Sequence, residues 1–236
     1  MIKLKNKMVF ITGATGGIGT SLSSEFAGHG CSLLLSGRNS TKLKNMCDKL
    51  IEEYNIQAEY IVADLSKQSD LDRIIAQYSK KVDVLINNAG IFSNNKGSET
   101  TNVEFDDCIA VNVRAPFILS REFGIQMKKK GFGRIVNIGS SLAYYGSGKS
   151  TAYCITKHAL LGLSRSFFQE FRNTGVRVYN VSPGSTHTSM VKEEVQKQNY
   201  KTFLKPDEIA QYISYIISYN NELITEEIRL NRIIIG

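Results

Sequence analysis

The stretch Lys7-Met8-Val9-Phe10-Ile11-Thr12-Gly13-Ala14-Thr15-Gly16-Gly17-Ile18-Gly19 decides the fold. Its first part is a short continuous apolar run, the pattern of a strand covered on both faces. A glycine-rich turn follows, and Ile18 to Ala27 then reads as a helix. A glycine-rich turn alone is often no more than a turn; strand before and helix after are the context a dinucleotide-binding turn requires. Glycine lets the backbone turn tightly, approach a diphosphate with no Cβ between, and pack the helix closely on the sheet. The helix N-terminus adds N–H donors and the positive end of its dipole. Gly13, Thr15, Gly16, Gly17, Ile18 and Gly19 are the expected cofactor residues of this turn.

Outward from this unit, short aliphatic runs alternate with helical patterns, the sign of a parallel sheet built from βαβ units. Strands are expected near Lys7 to Thr12, Ser32 to Ser36, Ala58 to Ala63, Val82 to Ile86, Arg134 to Ile138, Val176 to Val181 and Glu227 to Ile235. Helices are expected over Ile18 to Ala27, Thr41 to Tyr54 behind a Ser40 cap, Ser69 to Tyr78, Thr101 to Lys129, Ala152 to Arg172 and Asp207 to Ser218. No linker or repeat divides the chain. The expectation is one α/β domain over residues 1–236, a doubly wound parallel seven-stranded sheet of Rossmann type with helices on both faces.

Composition narrows the class. With 236 residues, 42% hydrophobic, 22% charged and only 3 Pro, the chain has the profile of a globular domain rather than a disordered or fibrous one. No apolar run approaches the roughly 20 residues of a membrane span. The N-terminal residues lack the apolar core and cleavage site of a secretory signal, so the cytoplasm is the expected compartment. Cys31, Cys47, Cys108 and Cys154 show neither disulfide nor zinc spacing, and no metal is expected. The net charge of +7 comes from dispersed basic residues, so no nucleic-acid or membrane partner is inferred from it.

A second cluster carries chemistry. Tyr153 and Lys157 lie four apart at the start of a helical pattern, hence on one face about a turn apart. An ammonium beside a phenol stabilises the phenolate and lowers its pKa from the usual value near 10, which suits proton transfer near neutrality. Tyr145 and Lys149 have the same spacing, but Gly146 and Gly148 between them argue against a helix. Ser140 and Ser141 directly follow the fifth strand, at the sheet edge where a hydroxyl can stabilise a developing oxyanion. After the second strand stands Gly37-Arg38, where a site for NAD would place a carboxylate; a guanidinium there favours a 2′-phosphate. NADP(H) is therefore favoured, with NAD(H) left open.

The glycine spacing here is G-x-x-x-G-x-G, and in this it resembles the short-chain dehydrogenase/reductase family. Further motifs follow in the family's order from Lys7 to about Met190. Asp64-Leu65 resembles the adenine-contacting pair, and Asn87-Asn88-Ala89-Gly90 the N-N-A-G motif, with Asn88, Ala89 and Gly90 beside the nicotinamide half. Asn112 resembles the family's fourth catalytic residue, which maintains a proton relay. The family spacing of thirteen residues to Tyr153 selects Ser140 over Ser141. Pro183-Gly184-Ser185-Thr186-His187-Thr188 resembles the segment near the carboxamide, implicating Pro183, Gly184, Thr186 and Thr188.

The resemblance implies an enzyme that reduces a carbonyl to a secondary alcohol, or the reverse. Tyr153 would be the acid, Ser140 the oxyanion donor, and Lys157 the partner that binds the nicotinamide ribose and lowers the Tyr153 pKa. Overall likeness to 3-oxoacyl-carrier-protein reductases implies a small-molecule or carrier-bound substrate; a keto-sugar or another small ketone stays open because the C-terminal stretch lacks the usual V-D-G-G or V-N-G-G, and a non-catalytic NADP-binding regulator is the separate alternative, against which the intact Ser140, Tyr153 and Lys157 argue. Specificity is expected to lie in Met190 to Lys201. A homodimer or homotetramer is expected through the helices containing Asn112 and Tyr153, the latter bearing Leu160, Leu163, Phe167, Phe168 and Phe171.

Overall fold

The computed structural model describes residues 2–188 and 200–233. Its strands are β1 (Met8–Ile11), β2 (Ser32–Gly37), β3 (Ala58–Val62), β4 (Val84–Asn87), β5 (Gly133–Ile138), β6 (Val176–Pro183) and β7 (Glu227–Leu230). They form one sheet in the order β3-β2-β1-β4-β5-β6-β7, every neighbouring pair parallel. The helices are α1 (Gly17–Gly28), α2 (Ser40–Tyr54), α3 (Gln68–Tyr78), α4 (Asn102–Ile109), α5 (Ala115–Lys130), α6 (Thr151–Glu170) and α7 (Pro206–Ser218).

The continuous apolar strands are explained by two cores. Alternate residues Val9 and Ile11, Leu33 and Leu35, Val84 and Ile86 face α1, α2 and α7, while Phe10, Leu34 and Leu85 between them face α3, α5 and α6. Strands covered on both sides have no polar face to show. Because the order reverses between β1 and β4, loops leaving those two strands diverge and leave a crevice at their carboxyl ends.

Three local expectations need correction. The helix expected over Thr101 to Lys129 is interrupted by a π turn at Ala110–Arg114. Pro116 has no N–H, so the carbonyl of Asn112, four residues earlier, lacks its α-helical donor, and the chain widens there. The cap of α2 is Asn39, whose side chain accepts from the Lys42 N–H at 2.9 Å, and Ser40 is the first helical residue. The last strand ends at Leu230 rather than Ile235: pairing with β6 stops at Pro183, and Arg232 turns to the Phe203 ring (4.8 Å) and Thr202 Oγ1 (3.1 Å). Residues 234–236 lie outside the described residues.

Candidate active site

The loops leaving β1, β4, β5 and β6 open onto one cavity of about 670 Å³. The glycine turn forms its floor at one end. Gly13 has φ +63°, and a Cβ there would come within 2.8 Å of the Ala89 Cα, so only glycine lets the turn lie against the loop after β4. A Cβ on Gly17, the first residue of α1, would meet Thr188 Cγ2 at 2.8 Å. The first turn of α1 carries no acidic side chain, leaving its free N–H groups and dipole unopposed.

Asn88 fastens this end. Its Nδ2 donates to the carbonyls of Thr12 (2.9 Å) and Gly13 (3.0 Å), and Thr12 Oγ1 accepts from the N–H groups of Asn88 and Ala89, both at 3.0 Å. The β4 loop and the glycine turn are thus one rigid piece. At the far wall Arg38 is exposed and lines the cavity near Asp64. The Asp64 carboxylate accepts from Ser66 Oγ (2.8 Å) and Ser66 N–H (3.1 Å), and these bonds hold it below the usual carboxylate range.

At the other end lie Ser140, Tyr153 and Lys157. Ser140 is extended and its hydroxyl accepts from the Leu142 N–H at 3.2 Å. Tyr153 and Lys157 follow one above the other on α6; the Lys157 Nζ stands 5.4 Å from the Tyr153 ring centre and donates to the Ile138 carbonyl at 2.7 Å. Asn112, 1% exposed, sits in the π turn behind them. Its Oδ1 accepts from the Ile91 N–H and its Nδ2 donates to the Ile91 carbonyl, both at 2.9 Å, and Nδ2 also donates to Thr156 Oγ1 at 3.1 Å.

The electrostatics differ from expectation. Burial pushes Tyr153 up to about 12, against a smaller lowering by the Ser140 hydroxyl, and pushes Lys157 down to about 8. In the protein by itself removal of the phenol from water is the largest effect on Tyr153, and the lowering expected from Lys157 together with the positive nicotinamide ring belongs to the oxidised cofactor complex. Tyr153 is held as a neutral acid.

All the other residues expected at this site line the cavity, namely those of the glycine turn, Arg38, Asp64, Leu65, Asn88, Ala89, Gly90, Pro183, Gly184, Thr186 and Thr188, with two exceptions. Gly19 does not: a Cβ there would collide with the Gly13 carbonyl and lie 2.8 Å from the Ala14 Cα, so its glycine serves helix packing. Asn112 does not either, because its amide is spent on Ile91 and Thr156. Of the segment expected to set specificity, Met190 to Asn199 lies outside the described residues, and His187 is exposed and not part of the cavity wall. Phe92, Leu142 and Tyr145 line the catalytic end and were not singled out by motif. Phe92 packs edge-on against Tyr153, ring centres 4.9 Å apart, and Tyr145 follows Ser140 by five residues. The signal of Phe92 in the sequence was a large aromatic side chain just after the Asn87–Gly90 motif, and Tyr145 had appeared only as the rejected partner of Lys149.

A cavity at a strand-order reversal, with a glycine turn at one end and a buried Tyr and Lys at the other, is the arrangement of a dinucleotide-dependent oxidoreductase. The chain matches the short chain dehydrogenase family over residues 7–199 and belongs to that family. It is 33% identical over 233 residues, 95% of each chain, to the 3-oxoacyl-(acyl-carrier-protein) reductase FabG of Rickettsia prowazekii. Among solved structures it resembles a short-chain dehydrogenase from Sphingobium yanoikuyae in complex with NADPH, with 25% identity, TM-score 0.85 and coverage of 95% of this chain and 87% of that one. It also resembles an alcohol dehydrogenase from the archaeon Thermococcus sibiricus complexed with 5-hydroxy-NADP, with 27% identity, TM-score 0.88 and 97% coverage of both.

Proposed function

We propose that this chain is an NADP(H)-dependent reductase that converts a carbonyl to a secondary alcohol, or runs the reverse reaction, with a 3-oxoacyl thioester as substrate. The observation that carries the reading is the convergence of Ser140, Tyr153 and Lys157 at one end of a cavity whose other end is the glycine turn and Arg38. The cradle fits the cofactor. Gly16, where a Cβ would meet only the Gly13 carbonyl at 3.4 Å, leaves the backbone open to the cavity, the α1 N-terminus suits a diphosphate, and the exposed Arg38 suits a 2′-phosphate better than a ribose hydroxyl. The NADPH-bound neighbour and the reductase relative support the same assignment.

When bound, NADPH supplies a hydride to the carbonyl carbon. Tyr153, neutral because it is buried, donates its hydroxyl proton to the carbonyl oxygen in the same step. Ser140 stabilises that oxygen as charge develops. Lys157 carries its positive charge beside the tyrosinate that remains. Asn112 holds Ile91, and with it the small residues Ala89 and Gly90, at a fixed distance from α6. Exposed Val103 (73%), Phe117 (43%) and Ile155 (45%) on α4, α5 and α6 support assembly of two or four copies through these helices, whereas Leu160 is buried and Phe167 and Phe171 pack in the core against the sheet.

NADPH oxidation with an acetoacetyl thioester and a ketone panel tests the reading beside Tyr153→Phe. Turnover that falls 10²- to 10⁴-fold in the variant is the expected result. Absence of NADPH binding in the unaltered protein would overturn it.

A further inference from the structure

The largely apolar face of the sheet under α5 and α6 carries a row of three buried amides. Asn87 of β4, Asn137 of β5 and Asn180 of β6 are register partners, Asn87 beside Asn137 and Asn137 beside Asn180. All three are 3% exposed or less. Asn87 Nδ2 donates to Asn137 Oδ1 at 2.8 Å, and Asn180 Nδ2 donates to Ser182 Oγ at 2.8 Å. Each outer helix enters the row through one serine: Ser120 of α5 accepts from Asn87 at 3.1 Å, and Ser164 of α6 accepts from Asn137 Nδ2 at 2.9 Å and donates to Asn180 Oδ1 at 3.5 Å.

The row stands one residue below the chemistry. Asn137 is followed by Ile138, whose carbonyl takes the Lys157 ammonium, then by Gly139 and Ser140. Ser164 lies seven residues after Lys157, on the same face of α6. Helix α6 is therefore pinned to β5 at two heights, by Lys157 on Ile138 and by Ser164 on Asn137. Side-chain amides and hydroxyls bond at fixed distance and angle, whereas apolar contacts tolerate sliding.

We propose that the Asn87–Asn137–Asn180 row, acting through Ser164, is a positioning device that sets the height of α6 on the sheet and so the separation of Tyr153 and Lys157 from Ser140. Asn137 and Ser164 are positioning residues: neither lines the cavity. The proposal rests on the reductase reading only for its kinetic consequence.

Asn137→Val removes the bonds to Asn87 and Ser164, Ser164→Ala removes those to Asn137 and Asn180, and Ser164→Thr retains the hydroxyl. Amide hydrogen exchange of the protein alone, read alongside NADPH-dependent kinetics, tests the idea. Expected for Asn137→Val and Ser164→Ala is at least tenfold faster exchange confined to Gly139–Leu142 and Thr151–Lys157. A kcat loss of tenfold or more with KM for NADPH within threefold accompanies it, and Ser164→Thr stays within threefold of the unaltered protein throughout. Exchange that rises evenly across the sheet, or stays unchanged, overturns the proposal, as does a Ser164→Thr as impaired as Ser164→Ala. If the unaltered protein turns over no carbonyl, the reductase reading fails and the exchange pattern still decides the positioning. If Asn137→Val does not fold, the Ser164 pair decides alone.

Discussion

The Lys157 ammonium donates to the Ile138 carbonyl oxygen at 2.7 Å, a charged donor on a neutral acceptor in a site where the side chain is 5% exposed. Nothing fully repays the water it gave up, and its pKa falls to about 8. Between about 8 and the unfolded value near 10.4 the folded chain binds fewer protons, so this group's contribution to stability rises with pH across that window. The gap is worth about 3 kcal/mol at most. Lys157→Met is expected to unfold at higher denaturant concentration than the unaltered protein at pH 7, by about 1–2 kcal/mol after loss of one hydrogen bond. That advantage disappears toward pH 10.5. Urea titrations at pH 7 and 10 check both signs.

The same ionisation shapes the rate. Tyr153 keeps its proton to about 12, so the acid for carbonyl reduction is present throughout the working range, while Lys157 loses its charge near 8. Reductive kcat/KM is expected to fall as pH rises through about 8, reporting the free protein. A profile flat to pH 10 would separate Lys157 from the chemistry.

Arg38 provides a cofactor test. Arg38→Asp exchanges a guanidinium for a carboxylate where the proposed function puts the 2′-phosphate, and a charged hydrogen bond of about 1.5–3 kcal/mol corresponds to roughly 10- to 100-fold. KM for NADPH is expected to rise by that factor with KM for NADH raised less than threefold or lowered. Steady-state kinetics with both cofactors reads the ratio.

Two glycines of the same turn should fail differently. A Cβ on Gly16 would meet only the Gly13 carbonyl, at 3.4 Å, so Gly16→Ala should fold normally and bind NADPH at least tenfold more weakly, because a methyl at this cavity-lining position would crowd the diphosphate that the proposed function puts there. Gly19→Ala drives a methyl into the Gly13 carbonyl and is expected to cost about 1–3 kcal/mol of stability. Thermal melts beside fluorescence titration with NADPH distinguish the two effects.

Much of this architecture was legible because the signals are local. The apolar runs placed six of the seven strands to within two residues at each end, since a strand covered on both faces cannot hide its composition, and they overran the end of the last by five. The Tyr153 and Lys157 pairing needed helical spacing and the glycines that disqualify Tyr145 and Lys149, and the glycine turn needed the strand before it and the helix after. The π turn was missed because its cause, Pro116 withholding a donor from Asn112, looks in sequence like an ordinary early-helix proline.

By itself the sequence determined the layered fold, the strand and helix order, and which residue types meet at the cofactor edge, because periodicity and turn chemistry act over a few residues. The tertiary structure alone decided the rest. It put Gly19 into packing rather than binding, spent the Asn112 amide on Ile91, aligned Asn87, Asn137 and Asn180 across three strands, and raised Tyr153 to about 12 while lowering Lys157 to about 8. Burial and strand register depend on segments far apart in the chain, and desolvation has no meaning until those segments have closed over a side chain.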